Sequence, residues 1–141
     1  MAIRVTRVDV WSAEAEDRAG GLAKVLAPFA AVKAPLECVI ARRSPEKPGS
    51  AAVFVAPVKG TAVQAAAADA GFREARTVPS LRVEGEDRPG LAHELASAVA
   101  VAGVSMRGIS LMVQGPRFVG YLGFESPDDL MKAEKALKAI P

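Results

Sequence analysis

Apolar and polar residues alternate in several short segments of the chain, and between them apolar residues recur every three or four positions. The alternation predicts β-strands, and the longer spacing predicts amphipathic helices. The predicted strands are residues 4–13, 36–43, 52–57, 72–78, 81–84, 104–113 and 118–124, and the predicted helices are residues 17–32, 59–70, 88–102 and a last one that begins after Ser126. This order starts again near residue 80.

Two turns of similar sequence divide the chain into halves. The first, EDRAGG, occupies residues 16–21, and the second, EDRPGL, occupies residues 86–91. Each turn follows a predicted strand and precedes a predicted helix, whose first free N–H groups can bind an anion. We expect Asp17 and Asp87 to cap these helices and Pro89 to lie in the first helical turn.

The order strand, helix, strand, strand, helix, strand is typical of the ferredoxin-like α+β fold. The chain therefore predicts two such domains in tandem, residues 1–79 and residues 80–141. The second domain lacks its last strand, which leaves an edge of residues 81–84 unpaired. Either the linker strand 72–78 or a second chain covers that edge, and we expect a homodimer.

Composition narrows the function classes. Half of the 141 residues are apolar, so the chain is expected to form a core. The net charge is +2 with both signs mixed, which does not indicate a nucleic-acid surface. Cys38 and His93 are the single residues of their types, which excludes an internal disulfide and most metal or triad sites. No segment reaches transmembrane length, so we expect a cytoplasmic protein without a membrane partner. We also expect no cofactor and no catalytic site.

A strand followed by DRPGL at residues 87–91, and a helix that ends near AGVSM at residues 102–106, resembles the ACT domain, a small-molecule-sensing module. Residues 17–37 and 87–107 have equal lengths and cover the same elements. The whole chain resembles a tandem pair of ACT domains with no catalytic domain attached.

The resemblance implies a non-catalytic regulatory protein that binds an amino acid where the loop after one domain's first strand meets a partner domain's second strand. A regulated enzyme or other protein partner is implied as well. The implied loop residues are Asp17, Arg18, Ala19, Gly20, Gly21, Asp87, Arg88, Pro89, Gly90 and Leu91, and the implied partner segments are Ala34, Pro35, Leu36, Val104, Ser105 and Met106. Ala19 departs from the family, which usually has proline there.

Of the other function classes, one remains an alternative and one is excluded because the sequence lacks a residue that it requires. A protein-interaction module whose sheets only dimerise, with no small ligand, remains an alternative. An acylphosphatase-like enzyme on a similar fold is excluded, because it needs a catalytic asparagine and the sequence contains none. Arg42, Arg43 and Lys47 are candidates for contact with a phosphate or an acidic partner, although a solvated strand end is the better interpretation.

Overall fold

The computed structural model describes residues 3–141, except for the side chains of residues 74–77. Within this range the chain forms an α+β fold of six strands and four helices, and no helix there is long and apolar enough to cross a membrane. The elements in chain order are β1 (Arg4–Glu16), α1 (Gly21–Ala31), β2 (Cys38–Arg43), β3 (Ser50–Ala56), α2 (Thr61–Asp69), β4 (Arg73–Glu86), α3 (Leu91–Val101), β5 (Gly108–Gln114), β6 (Arg117–Gly123) and α4 (Pro127–Lys138).

The chain divides into two compact units. The first unit comprises Asp9–Val78, and the second comprises the residues up to Val8 together with Pro79–Pro141. The long strands β1 and β4 therefore each contribute residues to both units. The predicted domain limits, 1–79 and 80–141, differ from these units in the assignment of the residues before Asp9 and of Pro79.

The first unit has the strand order β2-β3-β1-β4, with β3 antiparallel to both β2 and β1. One face of this sheet carries the side chains of the core, because inward-facing residues alternate along each strand. Phe29 of α1 and Phe72 meet edge to face in this core, with ring centroids 5.3 Å apart. Val53 and Val55 of β3 are fully buried beneath the helices.

The second unit has the strand order β1-β4-β6-β5. Residues 4–8 of β1 thus occupy the position of the strand that the second half lacks. Ile3 and Val5 are buried in the same core as Leu81, Leu95 and Leu122. The two remedies predicted for residues 81–84, pairing with the linker strand or with a second chain, are therefore not needed. The homodimer prediction loses the argument on which it rested.

Both helices that follow the repeated turns begin three residues later than an aspartate cap requires. Their N-caps are Gly20 and Gly90, each with φ of 84°, and neither helix has a side-chain cap hydrogen bond. The prediction that Asp17 and Asp87 cap the helices is wrong, and Pro89 lies outside the helix.

Backbone pairing explains the late start of these helices. The Asp17 N–H donates to the carbonyl of Gly49 at 3.0 Å, and the Asp87 N–H donates to the carbonyl of Pro116 at 2.9 Å. Each aspartate is therefore still bonded to the neighbouring hairpin, and the chain leaves the sheet only after it. The left-handed conformation that then starts the helix is one that glycine adopts without a steric penalty.

The last helix begins as predicted. Ser126 caps α4 by accepting a hydrogen bond from the Asp129 N–H at 3.1 Å, and Pro127 occupies the first turn. Leu130, Ala133 and Leu137 face the core of the second unit.

Docking of β1 in the second unit predicts the effect of a core truncation. Val5→Ala should lower the free energy of unfolding by roughly 2 kcal/mol, because it removes buried methyl groups and leaves a cavity. Arg4→Ala is the control, since Arg4 is exposed and its 3.7 Å ion pair with Glu84 is worth about 0–1 kcal/mol. Urea denaturation measures both. Equal losses in the two variants would contradict the burial of Val5.

Candidate functional site

A cavity of about 240 Å³ opens at the end of β1 in the first unit. It lies between the start of α1 and the strands β1, β3 and β2. Its lining residues are Ala15, Glu16, Asp17, Arg18, Leu22, Ala41, Arg42, Arg43, Ala51 and Val53. Pockets for drug-sized ligands hold roughly 300–1,000 Å³, so this cavity suits a smaller metabolite.

Small side chains on three adjacent strands leave the floor of the cavity open. Ala51 of β3 pairs with Ala15 of β1 on one side and with Arg43 of β2 on the other. Val53 pairs with Ala41 two residues further along. Side chains at these positions share one face of the sheet, because residues two apart in a strand point the same way.

Charged groups of both signs surround this floor. Arg43 forms an ion pair with Asp17 at 2.5 Å, and Arg18 hydrogen-bonds the carboxylate of Glu16. This hydrogen bond and the charge of Arg18 hold the pKa of Glu16 below its usual value. Arg42 lies between Ala41 and Arg43 on β2, so its side chain points to the opposite face of the sheet from this floor.

Larger side chains fill the corresponding space in the second unit. In the first unit, Val53 pairs with Ala41 on one side and with Ala13 on the other. In the second unit, Gly120 takes the place of Val53 and pairs with Leu111 and with Val83. Leu111 is therefore the counterpart of Ala41. Leu111 lies so close to Gly120 that a Cβ on the glycine would be 2.8 Å from its Cδ1.

The position of Ala51 follows the same trend. Its counterpart by register is Phe118, which is 2 % exposed and belongs to the core of the second unit. The strand positions of Arg42 and Arg43 correspond to Met112 and Val113, both exposed and uncharged. The two units therefore share a backbone pattern but differ in both the space and the charge at this place.

The turn residues of the second unit have structural partners of their own. Arg88 forms a two-point ion pair with Glu94 of α3, at 2.7 and 3.1 Å. Leu91 is buried in the core, and Asp87 bonds the hairpin through its backbone. Pro89 and Gly90 are exposed beside them.

The predicted partner segments lie in the connections that precede the strands. Residues 34–36 precede β2, whose first residue, Cys38, pairs with Ala56 at the far end of the hairpin from Arg43. Ala34 and Leu36 pack on the first core, and Pro35 is exposed. In the second unit, the connection before β5 is divided in the same way: Val104 and Met106 pack on the core, and Ser105 is exposed.

Of the predicted loop residues, Asp17 and Arg18 line the cavity, and Ala19 and Gly20 lie exposed beside it. Gly21 is buried against the end of β1, where a Cβ would lie only 1.9 Å from the carbonyl oxygen of Glu16. This close approach holds the start of α1 next to the loop.

Sequence reasoning noted Arg42 and Arg43 but assigned them to a solvated strand end, and it passed over the small residues Ala41 and Ala51. The alternation of residues along β2 and β3 does indicate that Ala41 and Arg43 share one face, as do Ala51 and Val53. The register between the strands, which brings these residues together with Ala15, cannot be read from a single sequence.

Comparison with known proteins bears on the fold. No protein-family model matches the sequence, and no curated protein matches it. Among solved structures, a Bacteroides thetaiotaomicron protein matches 96 % of this chain over 99 % of its own, with 11 % identity and a TM-score of 0.73. The regulatory subunits of aspartate kinase from Thermus flavus and Thermus thermophilus match 97 % of this chain over 95 % of theirs, with 14 % and 15 % identity and TM-scores of 0.62 and 0.63.

This chain has an ACT-like fold. Identities at this level establish the shared architecture and no more. The ACT-like fold here has a cavity in the first unit whose counterpart in the second unit is occupied by core side chains.

The close packing of Gly21 predicts a local sensitivity. Gly21→Ala should lower the free energy of unfolding by about 1–3 kcal/mol, because the added methyl group overlaps the Glu16 carbonyl and the start of α1 must move. Gly108→Ala is the control: nothing lies within 4 Å of its added Cβ, so its effect should stay within about 0.5 kcal/mol. Guanidinium denaturation compares the two. A Gly21→Ala protein as stable as the parent would refute the close approach.

Proposed function

We propose that this chain is a non-catalytic regulatory protein that binds an amino acid in the cavity of the first unit. The observation that carries the proposal is the cavity itself, which combines an open floor of small side chains with charges of both signs. The regulatory subunits of aspartate kinase that share the fold support it, because that architecture serves regulation in those proteins. An enzyme or other protein that responds to the bound state is the corresponding partner.

The chemistry of an amino acid fits these walls. Its carboxylate can accept charge-assisted hydrogen bonds from Arg43 or from the first N–H groups of α1, and each is worth about 1.5–3 kcal/mol. Its ammonium can donate to the carboxylate of Asp17 or Glu16. The alanine floor leaves room for a side chain of modest size.

The residues that most often perform catalysis are poorly placed for it in this chain. His93 is exposed on α3, where its ring lies 3.4 Å from the hydroxyl of Ser97. Burial and the charge of Glu37 raise the pKa of the Cys38 thiol, which disfavours the reactive thiolate. These observations support a binding role over an enzymatic one.

Ligand binding should raise the melting temperature, and filling the cavity should remove the effect. An amino acid present at one hundred times its Kd stabilises the native state by about 2.7 kcal/mol. In a thermal-shift screen of the twenty amino acids, Ala41→Leu should abolish every shift, because it reproduces the leucine found at the equivalent position in the second unit.

Ala27→Leu is the control for this screen, since it adds the same volume on an exposed position of α1. It should retain the shifts of the parent. The absence of any shift in the parent protein, or full shifts in a folded Ala41→Leu protein, would refute the proposed site.

A second candidate function, a dimerisation module with no small ligand, is favoured by β5. This strand lies at the edge of the second unit's sheet and carries no charged residue. Ile109, Met112 and Val113 are exposed on its two faces, so the strand lacks the charges that sheet edges normally carry. Two copies of β5 related by a two-fold axis would pair this edge with itself and form the predicted homodimer.

A charge on this edge should prevent such pairing. Val113→Lys should convert a dimer into the 14.6 kDa monomer in light scattering at micromolar concentration, because pairing would bring two added like charges to an edge that is otherwise apolar. Val101→Lys is the control: it places the same charge on a position of α3 that is 90 % exposed and away from the edge. A monomeric parent protein, or a Val113→Lys protein that remains dimeric, would contradict β5 pairing.

A further inference from the structure

The floor of the cavity in the first unit is made of hydrocarbon. At its centre, Ala51 pairs with Ala15 on one side and with Arg43 on the other. Ala41 and Val53 pair two residues further along, on the same face of the sheet. The backbone of Ala51 is engaged between two strands, so it offers little hydrogen-bonding capacity to a ligand. Ala41 is exposed and Ala51 is half-buried, so a ligand can reach both side chains.

The charged side chains at the edge of this floor form one neutral pair. The Nε of Arg43 contacts Oδ2 of Asp17. A guanidinium carries further N–H donors and a carboxylate has a second oxygen, so each group keeps hydrogen-bonding capacity for another partner. The pair therefore matches the head group of an amino acid, whose carboxylate suits Arg43 and whose ammonium suits Asp17.

The other charges near the cavity act on one another at its rim. Arg42 points to the opposite face of the sheet. Arg18 hydrogen-bonds Glu16, and this bond and the charge of Arg18, followed by the charge of Lys24, lower the pKa of Glu16. The Arg18 and Glu16 side chains are both well exposed, so water and salt screen them. The floor receives none of these side chains.

The second unit shows which kind of group fits the equivalent space. Leu111 stands at the position of Ala41, and Phe118 stands at the position of Ala51. Phe118 belongs to the core of the second unit, and Leu111 packs against that core. The second unit thus fills with its own apolar side chains the space that the first unit leaves open.

We infer that the cavity of the first unit selects a neutral amino acid with an aliphatic side chain of about the size of valine or leucine. The head group binds Arg43 and Asp17, and the side chain lies on the floor formed by Ala41 and Ala51. This inference rests on the proposed function, since it specifies the ligand class of the same site.

Two physical effects favour this class over polar amino acids. An aliphatic side chain gains about fourfold in affinity for each methylene group that it fully buries. A hydroxyl, an amide or a second charged group in the same place would lose its water and find no polar side chain on the floor. Because the second unit already fills its equivalent space, the expected stoichiometry is one ligand per chain.

Isosteric ligands test the class directly. In calorimetry with the full chain, L-valine should bind roughly ten times more tightly than L-threonine, which has a hydroxyl in place of one methyl group. L-leucine should bind more tightly than L-asparagine and L-aspartate, which have similar shapes. L-alanine should bind roughly ten times more weakly than L-valine, because it buries less hydrocarbon. Isovalerate, which is valine without its ammonium group, should also bind more weakly than L-valine.

A hydroxyl placed on the floor should reduce the selectivity. Ala51→Ser should bring the affinities for L-valine and L-threonine to within about threefold of each other, because the threonine hydroxyl then has a partner. Ala52→Ser is the matched control: Ala52 is the next residue of β3, pairs with Glu14 and Arg42, and faces the other side of the sheet. It should preserve the preference of the parent. Circular dichroism verifies that both variants are folded.

The possible failures are distinguishable. Equal affinities for L-valine and L-threonine, tighter binding of L-aspartate than of L-leucine, or a preference unchanged by Ala51→Ser would overturn the aliphatic class while leaving an amino-acid site in place. Isovalerate binding as tightly as L-valine would overturn the contact of the ammonium with Asp17. A stoichiometry of two per chain would overturn the restriction to the first unit. The absence of binding by every amino acid would instead overturn the proposed function itself.

Discussion

The structure of the second unit depends on a strand that is distant from it in sequence. A ferredoxin-like unit needs four strands, and the second half of this chain supplies three of them. Residues 4–8 provide the fourth beside β4, and Ile3 and Val5 seal the same core as Leu81 and Leu95. The remainder of β1 then continues as a central strand of the first unit. One strand thus supplies backbone hydrogen-bonding groups to both units.

The two units illustrate how a shared backbone pattern can carry different properties. Where the first unit has Ala41 and Ala51, the second has Leu111 and Phe118, and the larger residues are part of a packed interior. In the second unit, Leu111 lies over Gly120 and fills its space, whereas in the first unit Ala41 beside Val53 leaves the equivalent space open. The residues that could make the second unit a binding site are the same residues that complete its core.

Local sequence patterns predicted the order of the elements, the two halves and the α+β class, because strand and helix periodicities are properties of neighbouring residues. The start of the helices was misplaced because an aspartate and a glycine in one turn offer two ways to begin a helix. Glycine at φ of 84° prevails, since Asp17 and Asp87 remain bonded to the hairpins.

The candidate site was predicted only in part for a different reason. Asp17 and Arg18 belong to the recognisable turn, but Ala41, Arg43 and Ala51 join them through pairing between strands β2 and β3 and the turn. The same kind of non-local pairing decided how the edge of residues 81–84 is covered. Periodicity within a strand identifies which of its side chains point inward. Which residues of other strands lie beside those side chains depends on the topology of the whole sheet.

The division of β1 between the units also affects how the protein can be made. During synthesis, residues 4–8 precede the whole first unit, and their partners in β4 follow it, so these contacts form only after the intervening chain has been produced. The first unit can begin to fold from contacts that are closer in sequence, whereas the second closes a long loop when it recruits this strand. A gene fragment that encodes residues 79–141 would therefore yield a sheet with an open edge. The two halves are not interchangeable cassettes, although their sequences repeat.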